Sequence, residues 1–296
     1  MIKYIGIHRK ALDLNAIVRE KYEFIDIKVE IPTELDIEQK VFRNFSTINA
    51  LDDKEAFKDF CLKNGLPTLP HFTKELTESG HYVIKPKIGS GSVGLKYVKL
   101  IDGQRYRIPE THIAEHRASG PTYGAGVIVR EGYITSMASW QRLRTFPTSG
   151  GPSVLSKRIH SKAISQLVED FMENLAADKP SGCFMLEFIE DNDDIYFLEI
   201  NPRIWGSVAL MECGGFNFTQ DLIAALFDKK IIIKADTKLR NIEYFCNPIL
   251  YPWYSLTKSQ NTFYSGFTCR SFLEGIKYLV RLLKLENILK IVRKLI

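Results

Sequence analysis

The sequence predicts an α+β fold, and three observations carry that expectation. Candidate strands and helices mix along the chain without the regular βαβ alternation of a doubly wound sheet. The glycine-rich turn in "HYVIKPKIGSGSVGLKYVKL" is flanked by strand-like segments on both sides. Two further strand candidates, "CFMLEFI" and "DIYFLEI", are joined by a short polar segment. With 296 residues, 45% of them hydrophobic, the chain can bury a sizeable core in one large domain or two to three subdomains.

The first 48 residues offer two short strands, "IKYIGI" and "FIDIKVEI", with a polar segment between them. Residues 51–64, "LDDKEAFKDFCLKN", read as a helix. Leu51, Ala56, Phe57, Phe60 and Cys61 lie roughly on one face, Asp52 and Asp53 occupy the first turn, and Gly65 ends it. The glycine turn follows, then a strand-rich block over 123–144, a helix over 160–177, and the strand pair. The remainder reads as helical or irregular and ends in a long helix.

Composition excludes several classes. No apolar run approaches the length of a membrane span, and "MIKYIGIHRK" lacks the apolar stretch of a secretion signal. The five cysteines (Cys61, Cys183, Cys213, Cys246, Cys269) are widely spaced with no CxxC pair, and read as reduced packing residues of a cytoplasmic protein. Cys213 has no adjacent histidine, and the six histidines, His160 among them, form no ligand-spaced pair. Of the 40 Lys and Arg, seven lie in Arg270–Ile296 with only two Glu, and outside that tail the charges balance. The net charge of +5 therefore does not mark a nucleic-acid surface. The tail reads either as a basic amphipathic helix for an anionic membrane surface or as a helix docked on the catalytic domain or a partner. "NPILYPWYS" (Asn247–Ser255) reads as a structured connector.

Two constellations carry chemistry. "KPKIGSGSVG" (Lys85–Gly94) has strands on both flanks, so it reads as a hairpin flap whose backbone N–H groups and serine hydroxyls can meet phosphate oxygens. Lys85 is the cation on the incoming strand, and the plain alternative is an ordinary hairpin loop. In "YFLEINPRIWGS", Glu199, Asn201 and Arg203 alternate along an extended segment and so share one face. A three-residue hairpin loop at Asn192–Asp194 pairs Asp191 with Ile195 and sets Glu187 opposite Glu199. Like charges so placed repel unless a cation lies between them. A hard divalent cation with oxygen ligands, Mg²⁺, would supply that charge, with the Asn201 amide oxygen as a third ligand. The alternatives are a slipped register or one solvated glutamate.

Together, Lys85–Gly94 and, about 100 residues later, Glu187 and Glu199-Ile-Asn201-Pro-Arg203 resemble the ATP-grasp superfamily of carboxylate–amine ligases. "INALDDKEAF", "YVIKPKIGSGSVG", "GCFMLEF" and "FLEINPRIWGS" stand in that superfamily's order, and the resemblance covers roughly residues 49–220. "RLRTFPTSGGPSV" (Arg142–Val154) and "NPRIWGSVAL" resemble a bacterial branch of stand-alone ligases related to carbamoyl phosphate synthetase.

The resemblance implies two α+β subdomains clasping ATP. It divides the chain into a shortened N-terminal α/β region (1–48), a small subdomain with the flap (49–116), a large subdomain with the metal site (117–255) and the basic helix (256–296). It implies that Lys54 and Lys85 contact ATP phosphates and that Ser90, Gly91, Ser92 and Gly94 form the flap. Glu115 and His116, in "HIAEHR", fall at the adenine hinge, the first through its side chain and the second through its backbone. Glu187, Glu199 and Asn201 match the Mg²⁺ ligands, with Mn²⁺ as a substitute. Arg203 matches the arginine that steadies the transferred phosphate, and Arg142, Arg144 and Ser149–Ser153 lie where the carboxylate substrate would sit.

The implied function is ATP-dependent formation of an amide or related C–N bond through an acyl phosphate, from a small-molecule carboxylate and amine. The basic tail points to cell-envelope or polysaccharide work, at the inner membrane surface through residues 270–296. Two departures stand out: only about 48 residues precede the "LDDK" helix, and "RASGPTYGAG" offers no acidic residue to the ribose. The first suggests a homo-oligomer or partner chain completing the site. It also favours the contrasting reading, a non-catalytic nucleotide-binding adaptor at a membrane or partner surface. An acyl-phosphate kinase without an amine acceptor would use the same residues.

Overall fold

A computed structural model of the chain describes residues 42–203 except Ser90, Pro147, Ser149 and Pro152, together with Trp205 and residues 243–246 and 262–264. The expected N-terminal strands, the connector at 247–255 and most of the basic helix at 256–296 lie outside the described residues, and residues 262–264, expected within that helix, form a strand instead.

The chain builds a smaller and a larger sheet, as the α+β expectation requires. The smaller uses β1 (His71–Phe72), β3 (Gly80–Pro86), β4 (Lys96–Leu100) and β6 (His112–His116), in the order β1-β6-β3-β4, all antiparallel. Between them β2 (Glu75–Leu76) and β5 (Tyr106–Arg107) pair as a separate ribbon. The larger sheet comprises β7 (Thr122–Arg130), β8 (Tyr133–Thr145), β9 (Ser153–Ile159), β10 (Gly182–Asp191), β11 (Asp194–Asn201), β12 (Tyr244–Cys246) and β13 (Thr262–Tyr264). Its order is β11-β10-β7-β8-β9-β12-β13, antiparallel except for the β12–β13 pair. The block read over 123–144 is thus the β7–β8 hairpin.

Among the described residues, three α-helices accompany the sheets: α1 (Ser46–Ala50), α2 (Lys54–Lys63) and α3 (Lys162–Glu173). Helix α2 begins later than the sequence suggested, because Asp53 is its N-cap and accepts from the backbone N–H groups of Glu55 and Ala56. It stops at Gly65, as expected. Ser161 caps α3 by accepting from Ile164 N–H, and Ile164, Val168, Phe171 and Met172 recur at helical spacing on its buried face.

The main core lies between α2, α3 and one face of the larger sheet. Phe57, Phe171 and Phe197 are fully buried and mutually in contact, with ring centroids 5.9–6.1 Å apart. Each buried phenyl contributes roughly 1.5–3 kcal/mol. Helix α2, grouped with the flap subdomain in the expected division at 49–116, therefore packs into the core of the larger sheet. A second core under the smaller sheet gathers Leu76, Tyr82, Ile84, Leu100, Ile108 and Ala114. Cys61 and Cys183 are buried free thiols, and burial pushes both up to about 12, which makes them inert packing residues.

The β10–β11 hairpin corrects one expectation and keeps its consequence. Its turn has two residues, Asn192 and Asp193, both at positive φ (51° and 69°), so Asp191 pairs with Asp194 and Glu190 with Ile195. Asparagine and aspartate tolerate that conformation, and such a turn matches the twist of the strands. Left alone, this register would offset Glu187 from Glu199. A bulge at Leu198, between the Phe188–Phe197 and Glu187–Glu199 pairs, restores the match.

Candidate active site

Glu187 and Glu199 stand opposite each other on β10 and β11, on the sheet face away from Phe188 and Phe197. Asn201 follows two residues on, 4% exposed, and its amide Nδ2 donates to Glu199 Oε1 at 3.2 Å. Arg203 Nη2 donates to Asn201 Oδ1 at 2.8 Å, which fixes the amide with its oxygen toward the guanidinium. The alternation read in the sequence thus becomes one hydrogen-bonded row.

Cations flank that row on two sides. From helix α2, Lys54 Nζ lies 3.5 Å from Glu199 Oε2. From β8, Arg142 Nη1 donates to Glu187 Oε2 at 2.5 Å, and its Nη2 donates to the Gly151 carbonyl at 2.5 Å. Gly124 of β7 lies directly between Glu187 and Trp140 in the sheet, and Arg142 is two residues past Trp140 on the same face. The space left over Gly124 is filled by the Trp140 indole, which an added Cβ would meet at 2.6 Å.

The two carboxyls titrate differently. Burial pulls both up. At Glu199 the charges of Lys54 and then Lys85, with the Asn201 hydrogen bond, overcome burial and hold the group below the usual carboxylate range. At Glu187 burial prevails over Arg142, and the nearby Glu199 charge adds to it, so the group is raised. The pair behaves as two acids competing for limited positive charge. That donor set, two carboxylate groups and an amide oxygen, fits a hard divalent cation completed by phosphate oxygens. Among the described residues no cluster of three or more His, Cys, Asp and Glu offers an all-protein cage.

The smaller sheet supplies the other wall. Lys85 on β3 is a diagonal neighbour of Glu115 on β6, since Glu115 pairs with Val83. Its Nζ lies 2.7 Å from Glu115 Oε2. The carboxylate expected at adenine is instead 2% exposed and held between Lys85 and a second lysine, Lys58, at 3.0 Å from Oε1. Burial raises the Glu115 carboxyl, but the two lysines outweigh it and keep the group below its usual range. The His116 backbone N–H donates to the Pro70 carbonyl at 3.3 Å, and its ring packs on Tyr82 and Phe72.

The flap is a hairpin between two strands, as the sequence required. Its base is tied to α2: Lys54 N–H donates to the Lys87 carbonyl, Lys87 pairs with Glu55, and Lys54 Nζ donates to the Gly89 carbonyl at 2.8 Å. Gly91, Ser92 and Gly94 all have positive φ. A Cβ at Gly94 would meet Pro86 Cγ at 2.9 Å, so the return strand needs glycine there. Gly150 sits against the flap, where an added Cβ would lie 3.4 Å from Ser92 Oγ. Ser92 of the flap and Gly150 therefore lie side by side. Ser90 and Ser149 lie outside the described residues.

Lys54, Lys85, Arg142, Glu187, Glu199, Asn201 and Arg203 thus converge in one charged cluster. Arg144 is exposed. Sequence reasoning missed Lys58, although its position four residues after Lys54 and three before Cys61 was a signal for a shared buried face. It also missed the pair Trp140–Trp205, stacked at 5.8 Å and 16°, which packs the chain just past Arg203 against β8.

Residues 52–207 match the ATP-grasp domain family. Among solved structures, the chain is similar to biotin carboxylase from Campylobacter jejuni, in a β,γ-ATP complex. The identity there is 16%, over 64% of this chain and 50% of that one, with a TM-score of 0.51. It is also similar to the biotin carboxylase domain dimer of 2-oxoglutarate carboxylase from Hydrogenobacter thermophilus, solved with MgADP, ADP and bicarbonate. That match has 14% identity, covers 69% of this chain and 51% of the other, and has a TM-score of 0.53. At these identities the likeness is one of fold, and the chain spans about half the length of those structures. No curated protein matches the chain in sequence.

Proposed function

This chain belongs to the ATP-grasp domain family, and from that premise we propose that it is a carboxylate–amine ligase. It joins a small-molecule carboxylate to an amine at the expense of ATP, through an acyl phosphate. The observation that carries this reading is the opposed pair Glu187–Glu199, extended by Asn201 and Arg203 and flanked by Lys54, Lys85 and Arg142. A nucleic-acid or structural role gives no reason for so many clustered, half-buried or buried charges beside a glycine flap.

The residues suit phosphoryl transfer, which asks a protein mainly for positioning and charge neutralisation. Glu187, Glu199 and Asn201 would hold Mg²⁺, which would supply positive charge to neutralise the phosphates. Lys54 and Lys85 bind phosphate oxygens, with Lys54 anchored at once to the flap and to Glu199. Arg142 and Arg203 steady the substrate carboxylate and the transferred phosphoryl group. One carboxylate oxygen attacks the γ-phosphorus and ADP leaves. The amine then attacks the acyl carbon, the C–O bond breaks, and phosphate departs with that oxygen. The flap, whose Ser92 lies against Gly150, excludes water from the labile acyl phosphate. The basic tail supports a setting in cell-envelope or polysaccharide synthesis.

The test is ADP release from ATP and Mg²⁺ with a panel of carboxylates, each with and without amines, and Glu199→Ala as the inactive control. Release that requires both partners and vanishes in the variant is expected. Nucleotide binding without turnover across a broad panel would favour the adaptor, and turnover without an amine would favour an acyl-phosphate kinase.

A further inference from the structure

Lys58 is fully buried, yet it lies outside the set of residues that the ligase reading employs. Its amine donates to the Phe197 carbonyl at 2.7 Å, two residues before Glu199 on β11. It also lies 3.0 Å from Glu115 Oε1, while Lys85 takes Glu115 Oε2 at 2.7 Å. One buried carboxylate is therefore divided between two lysines on different elements, α2 and β3. The arrangement is costly. Each buried ion loses several kcal/mol of hydration, and an apolar side chain such as methionine would fill the Lys58 volume more cheaply.

We propose that Lys58 is a positioning residue: it occupies half of the Glu115 carboxylate, so that Glu115 orients Lys85 without neutralising it. Alone, Glu115 and Lys85 would form a closed, nearly neutral pair, and the Lys85 amine would be drawn back along β3 toward β6. With Lys58 on the other oxygen, the cluster holds two lysines against one carboxylate. The surplus positive charge sits at Lys85, within electrostatic range of Glu187 and Glu199 and hence of a phosphate bound beside them. The bond from Lys58 to Phe197 also fixes the distance between this cluster and the carboxylate row. A phosphate dianion is the ligand that such a surplus recognises. This inference rests on the nucleotide-binding reading above.

The test is calorimetric binding of the β,γ-imido analogue of ATP, with Mg²⁺, to the full chain. Lys58→Gln keeps a donor for the Phe197 carbonyl and removes the amine charge, so affinity should fall about tenfold or more. Adding Glu115→Gln releases Lys85 and should restore binding to within about threefold of the unsubstituted protein. A purely structural Lys58 predicts the opposite pattern: a lower melting temperature with unchanged affinity, or a double variant at least as weak as the single. Either result would overturn the proposal. Should Lys58→Gln not fold, Lys58→Arg carries the test; near-normal affinity is expected, and a tenfold loss overturns it. Absence of binding by the unsubstituted protein would instead sink the nucleotide reading itself, before any variant is compared.

Discussion

Replacing Gly124 by alanine should damage stability and activity together, and the structure sets the size of both effects. An added Cβ would stand 2.6 Å from Trp140 Cε2 and Cζ2 and 2.8 Å from its Nε1. Carbon atoms rest comfortably at about 3.5–4.0 Å, so the indole must retreat by about 1 Å. It has little room to do so. Trp140 is 2% exposed and stacks on Trp205, itself 3% exposed. Overpacking of this kind costs about 1–3 kcal/mol, and the upper half applies because a rigid ring, not a flexible tip, is the obstacle. Against a typical stability of about 5–15 kcal/mol the variant still folds. Trp205, two residues past Arg203, must shift with the indole it stacks on, and it carries Arg203 out of place. Misplacing positioning groups by about 1 Å can cost about 10²-fold in rate. Urea unfolding measures the first effect and ADP release the second. A stability loss below about 0.5 kcal/mol with unchanged turnover would refute the reasoning.

Three further outcomes are expected. Glu187→Gln keeps an acceptor for Arg142 but removes one of the two opposed charges, so turnover should fall about 10²–10³-fold with the melting temperature preserved; steady-state ADP release and circular dichroism check both halves. Glu115 carries an acid-limb prediction. Its folded carboxyl is held below the ordinary 4.5, so its contribution to stability is present above that value and lost as pH falls through the folded one. The melting temperature should therefore drop in acid, and Glu115→Gln should show a shallower decline; parallel curves would contradict the assignment. Phe57→Ala removes a fully buried ring in contact with Phe171 and Phe197 and should cost about 3–5 kcal/mol in urea unfolding.

The parts of the site legible in the sequence are those set by strand periodicity. Glu199, Asn201 and Arg203 share a face because β11 is extended, and the glycine flap had to be a hairpin because strands flank it. The Glu187–Glu199 pairing was reached through the wrong turn. Nothing local distinguishes a three-residue loop from a two-residue turn followed by a bulge, since both end in the same register. The resemblance groups helix α2 with the flap subdomain, whereas its Phe57 and Cys61 pack beneath the larger sheet. The partners of Glu115 were hidden for a related reason. Lys58, Lys85 and Glu115 come from three elements, and only tertiary packing brings them within 3.0 Å. Gly124 likewise looks like any strand glycine until Trp140 is seen above it.

The central claim is that a carboxylate is activated by phosphorylation at the Glu187–Glu199–Asn201 row. Once the panel has identified a productive carboxylate and amine, the most direct measurement follows one oxygen atom. The carboxylate is labelled with ¹⁸O, turned over with ATP and Mg²⁺, and the released phosphate is analysed by mass spectrometry. The account predicts ADP as the nucleotide product and one ¹⁸O in the inorganic phosphate for each bond formed. Label in AMP, or unlabelled phosphate accompanying product, would contradict it.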